Sequence, residues 1–276
     1  MSRVFGFSQV DVFTARAGYG NPLAVVHNAV GLDSARMQHF ANWTNLSETS
    51  FLLPPDSPEA DYRVRIFTPH SELPFAGHPT LGSCYAWLAA GGGPKGTYIV
   101  QQCGAGLVRI KRDGARLAFA APDAVQSEVT PELLARIAVV LGVEEAEILA
   151  ARQLSDRSPR WVGVMLKDRA AVLALKPDFP AMGRLEIGVV APSPGGPADF
   201  EVRAFVNDVG GEDPVTGSLN AGLARWLIPT GLVPARYVAA QGTALGREGT
   251  VFVEHDGQDF WIGGESVEVI SGSLAL

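Results

Sequence analysis

The chain reads as an α+β protein of two pseudo-symmetric domains, each a curved, mostly antiparallel sheet rolled around a central buried helix. Three observations predict this. The first is a repeat: Asp61-Tyr62-Arg63-Val64-Arg65-Ile66-Phe67 is echoed by Asp199-Phe200-Glu201-Val202-Arg203-Ala204-Phe205, 138 positions later and half of the 276-residue length. The second is a pair of helical stretches with almost no charge, TLGSCYAWLAA at 80–90 and LNAGLARWLI at 219–228, where only Arg225 is ionised. A helix without a polar face is buried all round, and a sheet wrapped about it is the simplest cover. The third is the run of strand signals around each helix.

Taken in order, the strand-like runs of the first half are Leu23 to Val26, the 61–67 copy, Tyr98 to Val100 and Leu107 to Ile110. Alternation puts Tyr62, Val64 and Ile66 on one face and Arg63 and Arg65 on the other. The second half offers Trp161 to Leu166, the 199–205 copy, Tyr237-Val238, Thr250 to Val253 and Phe260 to Ile262. Asp113-Gly114 and Asp256-Gly257 are turn dipeptides between strands. Each helical stretch opens on a glycine-led turn, Gly77-His78-Pro79 or Gly217-Ser218-Leu219, and ends at Gly91 or Gly231. Thr130-Pro131 starts an amphipathic surface helix near the junction, with Thr130 as N-cap and proline in the first turn. Ser155 to Arg160 and Ala191 to Ala198 read as Pro/Gly/Ser loops. The expected domains are 1–124 and 125–276, with the last strand free to return to the first half.

Composition narrows the function. Hydrophobic residues make up 47% and charged ones 18%, which describes a globular chain with a sizeable core. The net charge is -7 and no Lys/Arg cluster lies along a face, so a nucleic-acid partner is not expected. No apolar run approaches the roughly 20 residues that cross a bilayer, and the N-terminus lacks a signal core. Cys84 and Cys103 make no disulfide framework and fit a reducing cytoplasm. The two glycosylation-type triplets at Asn42 and Asn45 read as coincidence without a secretory signal. Walker, HExxH, paired CxxC and GxSxG motifs are absent, and Gly18-Tyr19-Gly20 and Gly104-Ala105-Gly106 lack the third glycine of a dinucleotide loop.

The two turns are the first candidate site. A helix start offers unpaired N–H groups and the positive dipole end, which bind small carboxylates and phosphates. Gly77 or Gly217 alone reads as a tight turn; the matched pair, facing one cleft, would grip a carboxylate from two sides. His78, between Gly77 and Pro79, is a better chemical candidate than His27, His39, His70 or His255. Ser218 follows the second turn glycine, and Asp213 precedes a proline, a common turn position. Glu48 sits at the edge of the apolar run Phe51-Leu52-Leu53, and nothing in the second half matches it. It is either a solvated loop acid or, if the cleft lies there, a single proton carrier with its pKa raised by burial.

Four ordered motifs then carry a family resemblance that runs nearly end to end. They are Gly20-Asn21-Pro22-Leu23-Ala24-Val25-Val26, Asn45 to Thr49 (NLSET), the segment from Phe67 to Thr80 (FTP…ELPFAGHPT) and Glu212 to Ser218 (EDPVTGS). With these the chain resembles the phenazine-biosynthesis isomerases (PhzF-like), which share their architecture with diaminopimelate epimerase. The resemblance implies two α/β domains of similar fold, a cleft between them, no cofactor, no metal and often a homodimer. It implies isomerisation of trans-2,3-dihydro-3-hydroxyanthranilate or an analogue, a small cyclic carboxylated amino acid. Glu48 would shuttle the proton, His78 and Asp213 would support it, and Gly77, Gly217 and Ser218 would hold substrate, with Asp213 on the amino group or tuning Glu48. The related racemases place a cysteine before each turn glycine; here those positions are Ala76 and Thr216, which cannot be thiolate bases. An epimerase using the same glutamate and a non-catalytic binding protein are the rival readings.

Overall fold

The computed structural model describes residues 3–155, 160–207 and 211–276. Residues 156–159, the middle of the predicted loop from Ser155 to Arg160, lie outside the described residues. The chain forms two compact units, 1–120 with 263–276, and 121–262.

The first unit holds β1 (Val4–Val12), β2 (Asn21–His27), α1 (Ser34–Thr44), β3 (Thr49–Leu53), β4 (Tyr62–Phe67), β5 (Glu72–Leu73), α2 (Gly77–Ala89), β6 (Ile99–Cys103), β7 (Gly106–Asp113) and β8 (Arg116–Ala120). Strand β4 alternates as predicted, with Tyr62, Val64 and Ile66 buried and the arginines between them part-exposed. Most of its pairings are antiparallel; β2 with β3 and β4 with β6 are parallel. The parallel pairs need crossovers, and α1 and α2 supply them. Helix α2 is buried from Gly77 through Cys84 and emerges only in its last turn. Helix α1 packs elsewhere, in a cluster where Met37 and Phe40 meet Phe51 and Phe67. Fully burying each such phenylalanine stabilises by about 1.5–3 kcal/mol.

The second unit repeats this order. It holds β9 (Ser127–Glu128), α3 (Pro131–Leu141), β10 (Ala150–Gln153), β11 (Trp161–Met165), α4 (Arg169–Ala174), α5 (Phe179–Met182), β12 (Glu186–Pro192), β13 (Phe200–Val206), β14 (Gly211–Asp213), α6 (Gly217–Leu227), β15 (Arg236–Gln241), β16 (Gly249–His255) and all but the last two residues of β17 (Phe260–Gly264). Again two pairs are parallel, β11 with β12 and β13 with β15, and again helices bridge them. The chain then closes the first unit with β18 (Ser266–Ala275), which runs antiparallel to β1 from Val4↔Ala275 to Val12↔Ser266.

The repeat is visible in detail. The Asp61 carboxylate accepts from Val100 N at 2.7 Å, and the Asp199 carboxylate accepts from Val238 N at 2.8 Å. Each therefore locks the start of one parallel pair. Thr130 caps α3 as predicted, accepting from Leu133 N. Two details depart from the sequence reading. Residues Ala191 and Pro192 of the predicted loop belong to β12, where they pair with Glu201 and Phe200; proline at a strand end loses no needed donor. The polar face of β13 is buried, unlike that of β4, because α4 lies over it: Arg203 donates to the carbonyls of Val172 and Leu175, and Glu201 pairs with Arg169.

Candidate active site

Glu48 is the last residue before β3, and its position is set from both sides. Asn45 ends α1 in the left-handed conformation (φ 55°), turning the chain back toward the sheet. The hydroxyls of Thr44 and Thr49 then meet at 2.8 Å across the four-residue loop. Thr44 also donates to Ala41 O, so the proton of the contact comes from Thr49. The solvated alternative for Glu48 fails, since its side chain is only 14% exposed.

His78 is the second residue of α2 and is 5% exposed at its side chain. Its Nε2 lies 3.4 Å from Glu48 Oε2. Burial takes the imidazole pKa down to about 3, so the ring is neutral near pH 7. The contact is therefore not an ion pair. Asn21, at the start of β2, places its amide nitrogen 3.4 Å from His78 Nδ1. With that amide orientation, Nδ1 is the acceptor and the ring proton sits on Nε2, whose 3.4 Å approach to Glu48 Oε2 is a contact and not a formed hydrogen bond. A neutral ring beside a carboxylate does not lock it in the ionised form, as a cation would. That suits an acid that must both take and return a proton.

The second unit carries the other predicted residues in one turn. Asp213 ends β14 and is 8% exposed. Thr216 Oγ1 donates to Asp213 Oδ2 at 2.6 Å. Gln241, from β15, lies beneath both, 2.9 Å from Thr216 Oγ1 and 3.2 Å from the Asp213 carbonyl. Ser218 receives the indole N–H of Trp161 at 3.0 Å. Indole only donates, so the Ser218 hydroxyl keeps its own proton for another partner.

Gly77 and Gly217 are the first residues of α2 and α6, and their N-caps, Ala76 and Thr216, make no side-chain cap hydrogen bond. No N-cap side chain therefore occupies the first-turn N–H groups of either helix. Cys84 is fully buried, and burial raises its thiol to about 12; burial also raises Cys103. Neither is a ready thiolate. Among the described residues, no three His, Cys, Asp or Glu side chains gather as metal ligands.

The structure thus groups Glu48, His78 and Gly77 in the first unit, and Asp213, Gly217 and Ser218 in the second. Sequence reasoning missed Asn21, Trp161 and Gln241 as partners. Asn21 stood in a quoted motif without a role; Gln241 carried no signal beyond an amide closing an apolar strand run.

A family model described as phenazine biosynthesis-like protein (PhzC-PhzF) matches residues 10–272. A protein of Schizosaccharomyces pombe (strain 972) named Antisense-enhancing sequence 1 is 34% identical over 287 residues, covering 96% of this chain and 97% of its own length. The trans-2,3-dihydro-3-hydroxyanthranilate isomerase of Pseudomonas fluorescens is 33% identical over 263 residues, 90% of each chain. Among solved structures, a PhzF-family phenazine biosynthesis protein of Enterococcus faecalis superposes with a TM-score of 0.80 at 25% identity, covering 100% of both chains.

Proposed function

The chain belongs to the phenazine biosynthesis-like family, and from that premise we propose that it is an isomerase that moves a proton within a small cyclic carboxylated amino acid. The substrate is trans-2,3-dihydro-3-hydroxyanthranilate, on which the Pseudomonas fluorescens relative is named to act, or an analogue of it. The single observation that carries this reading is the part-buried Glu48 carboxylate facing the neutral ring of His78 at 3.4 Å.

In the proposed step Glu48 removes a proton from one ring carbon, the electron pair shifts through the adjacent double bond, and the same proton returns to another carbon on the same face. His78 supports the Glu48 oxygen from Nε2. Asp213 is proposed to hold the substrate ammonium, and Gly77, Gly217 and Ser218 are proposed as substrate-binding groups. The reaction is redox-neutral and is proposed to need no cofactor. The protein is proposed to work in the cytoplasm as a homodimer.

The test is turnover of this acid in deuterated water, wild type against Glu48→Gln. Double-bond relocation in the wild type, lowered about 10²- to 10⁴-fold in the variant, is the expected result. Deuterium at one inverted centre without relocation identifies an epimerase instead. Unchanged turnover in Glu48→Gln sinks the mechanism, and binding without turnover in the wild type leaves a binding protein.

A further inference from the structure

The polar groups beneath Asp213 have only one consistent set of hydrogen positions. Two backbone groups of fixed polarity start the argument. Thr216 N–H, which only donates, lies 3.1 Å from Gln241 Oε1, and the Asp213 carbonyl, which only accepts, lies 3.2 Å from Gln241 Nε2. The Gln241 amide therefore cannot be flipped. Asn220 reinforces this by donating to the same Oε1 at 2.9 Å. Gln241 Nε2 must then donate to Thr216 Oγ1, 2.9 Å away. With its oxygen used as acceptor, the Thr216 hydroxyl turns its own proton to Asp213 Oδ2 at 2.6 Å, a short bond in which that oxygen is the acceptor. Gln241, Asn220 and Thr216 are 1%, 0% and 6% exposed, so water has little room to reverse the chain.

The first unit shows what such a network does when no acid ends it. Tyr62 donates to Gln101, Gln101 to Thr80, and Thr80 to the carbonyl of Ala76. Ala76 holds the place of Thr216 before the turn glycine, but it has no hydroxyl, so this chain of donors stops on backbone.

We propose that Gln241 and Thr216 are positioning residues for Asp213, forming a one-way donor relay that fixes its carboxylate as an oriented, ionised acceptor. This rests on the reading of Asp213 as the group that holds the substrate ammonium, and it sharpens that role: Asp213 is a standing anion, not a proton donor.

The test begins in the free protein, so that it does not depend on substrate. Aspartate carboxyl carbons are labelled with ¹³C and titrated by NMR, with Asp213→Asn to assign the resonance. In Thr216→Val the Asp213 midpoint is expected to rise by about one pH unit, and Thr216→Ser is expected to restore it. Gln241→Leu is expected to raise it by a smaller amount. In turnover assays Thr216→Val is expected to raise KM for an amino acid substrate several-fold more than it lowers kcat. An Asp213 midpoint unchanged in Thr216→Val, with the fold intact by circular dichroism, overturns the relay. A raised midpoint with unchanged KM leaves the relay standing and removes the substrate role of Asp213.

Discussion

His78 shows how one residue's surroundings decide its chemistry. The side chain is nearly enclosed, and burial disfavours the imidazolium strongly enough to take the pKa to about 3 from 6.5. Between those values the unfolded chain binds a proton that the folded chain refuses. This contribution is therefore harmless above about pH 6.5 and erodes stability as the pH falls toward 3, by about 1.4 kcal/mol per pH unit. Urea unfolding from pH 7 to pH 4 is expected to show a shallower acid loss in His78→Asn than in the wild type. The ring signals of His78 are expected to stay in the neutral form throughout the pH range in which the protein is active. A His78 midpoint near 6.5 in the folded protein would remove the neutral-ring account of the Glu48 contact.

At the scale of elements, the two central helices solve one packing problem in the same way. Gly82 in α2 and Gly222 in α6 each hold the sixth helical position, 140 residues apart. A Cβ at Gly82 would come within 2.6 Å of Leu23 and 2.8 Å of Val12, and one at Gly222 within 2.9 Å of Leu154. Glycine lets each helix approach the side chains packed against it. Gly82→Ala would gain helix propensity of about 1 kcal/mol, yet it forces side-chain shifts that cost about 1–3 kcal/mol. The expected outcome is a net loss of stability, read as a lower urea midpoint at unchanged slope. A midpoint at or above that of the wild type would show that Leu23 and Val12 can yield freely.

The whole molecule turns on a strand that leaves its own half of the sequence. Strand β18 comes after all of the second unit, yet it lies along the full length of β1 in the first. Removing residues 266–276 would strip β1 of that ladder and of the Ser8–Glu268 hydrogen bond, 2.6 Å in the intact chain. Hydrogen exchange of the truncated protein is expected to show lost protection in β1 and β2, with β11 to β13 retaining theirs. Equal loss in both sets would mean that the two units unfold as one.

Much of this was legible in the chain itself. The repeat, the uncharged helices and the strand alternation are local patterns, with periods that depend only on neighbouring residues, and they determined the two-halved fold and the order of its elements. The four motifs fixed the family and singled out Glu48, His78, Asp213 and Ser218. Only the tertiary structure decided how those side chains are supported. Asn21 meets His78 across 57 positions, Trp161 meets Ser218 across 57, and Gln241 meets Thr216 across 25. It also decided that the polar face of β13 is covered, since α4 arrives from elsewhere in the chain. Periodicity reports which face of an element is apolar. It carries no record of which distant donor is brought to a given acceptor, because that depends on how strands and crossover helices bring separated segments together.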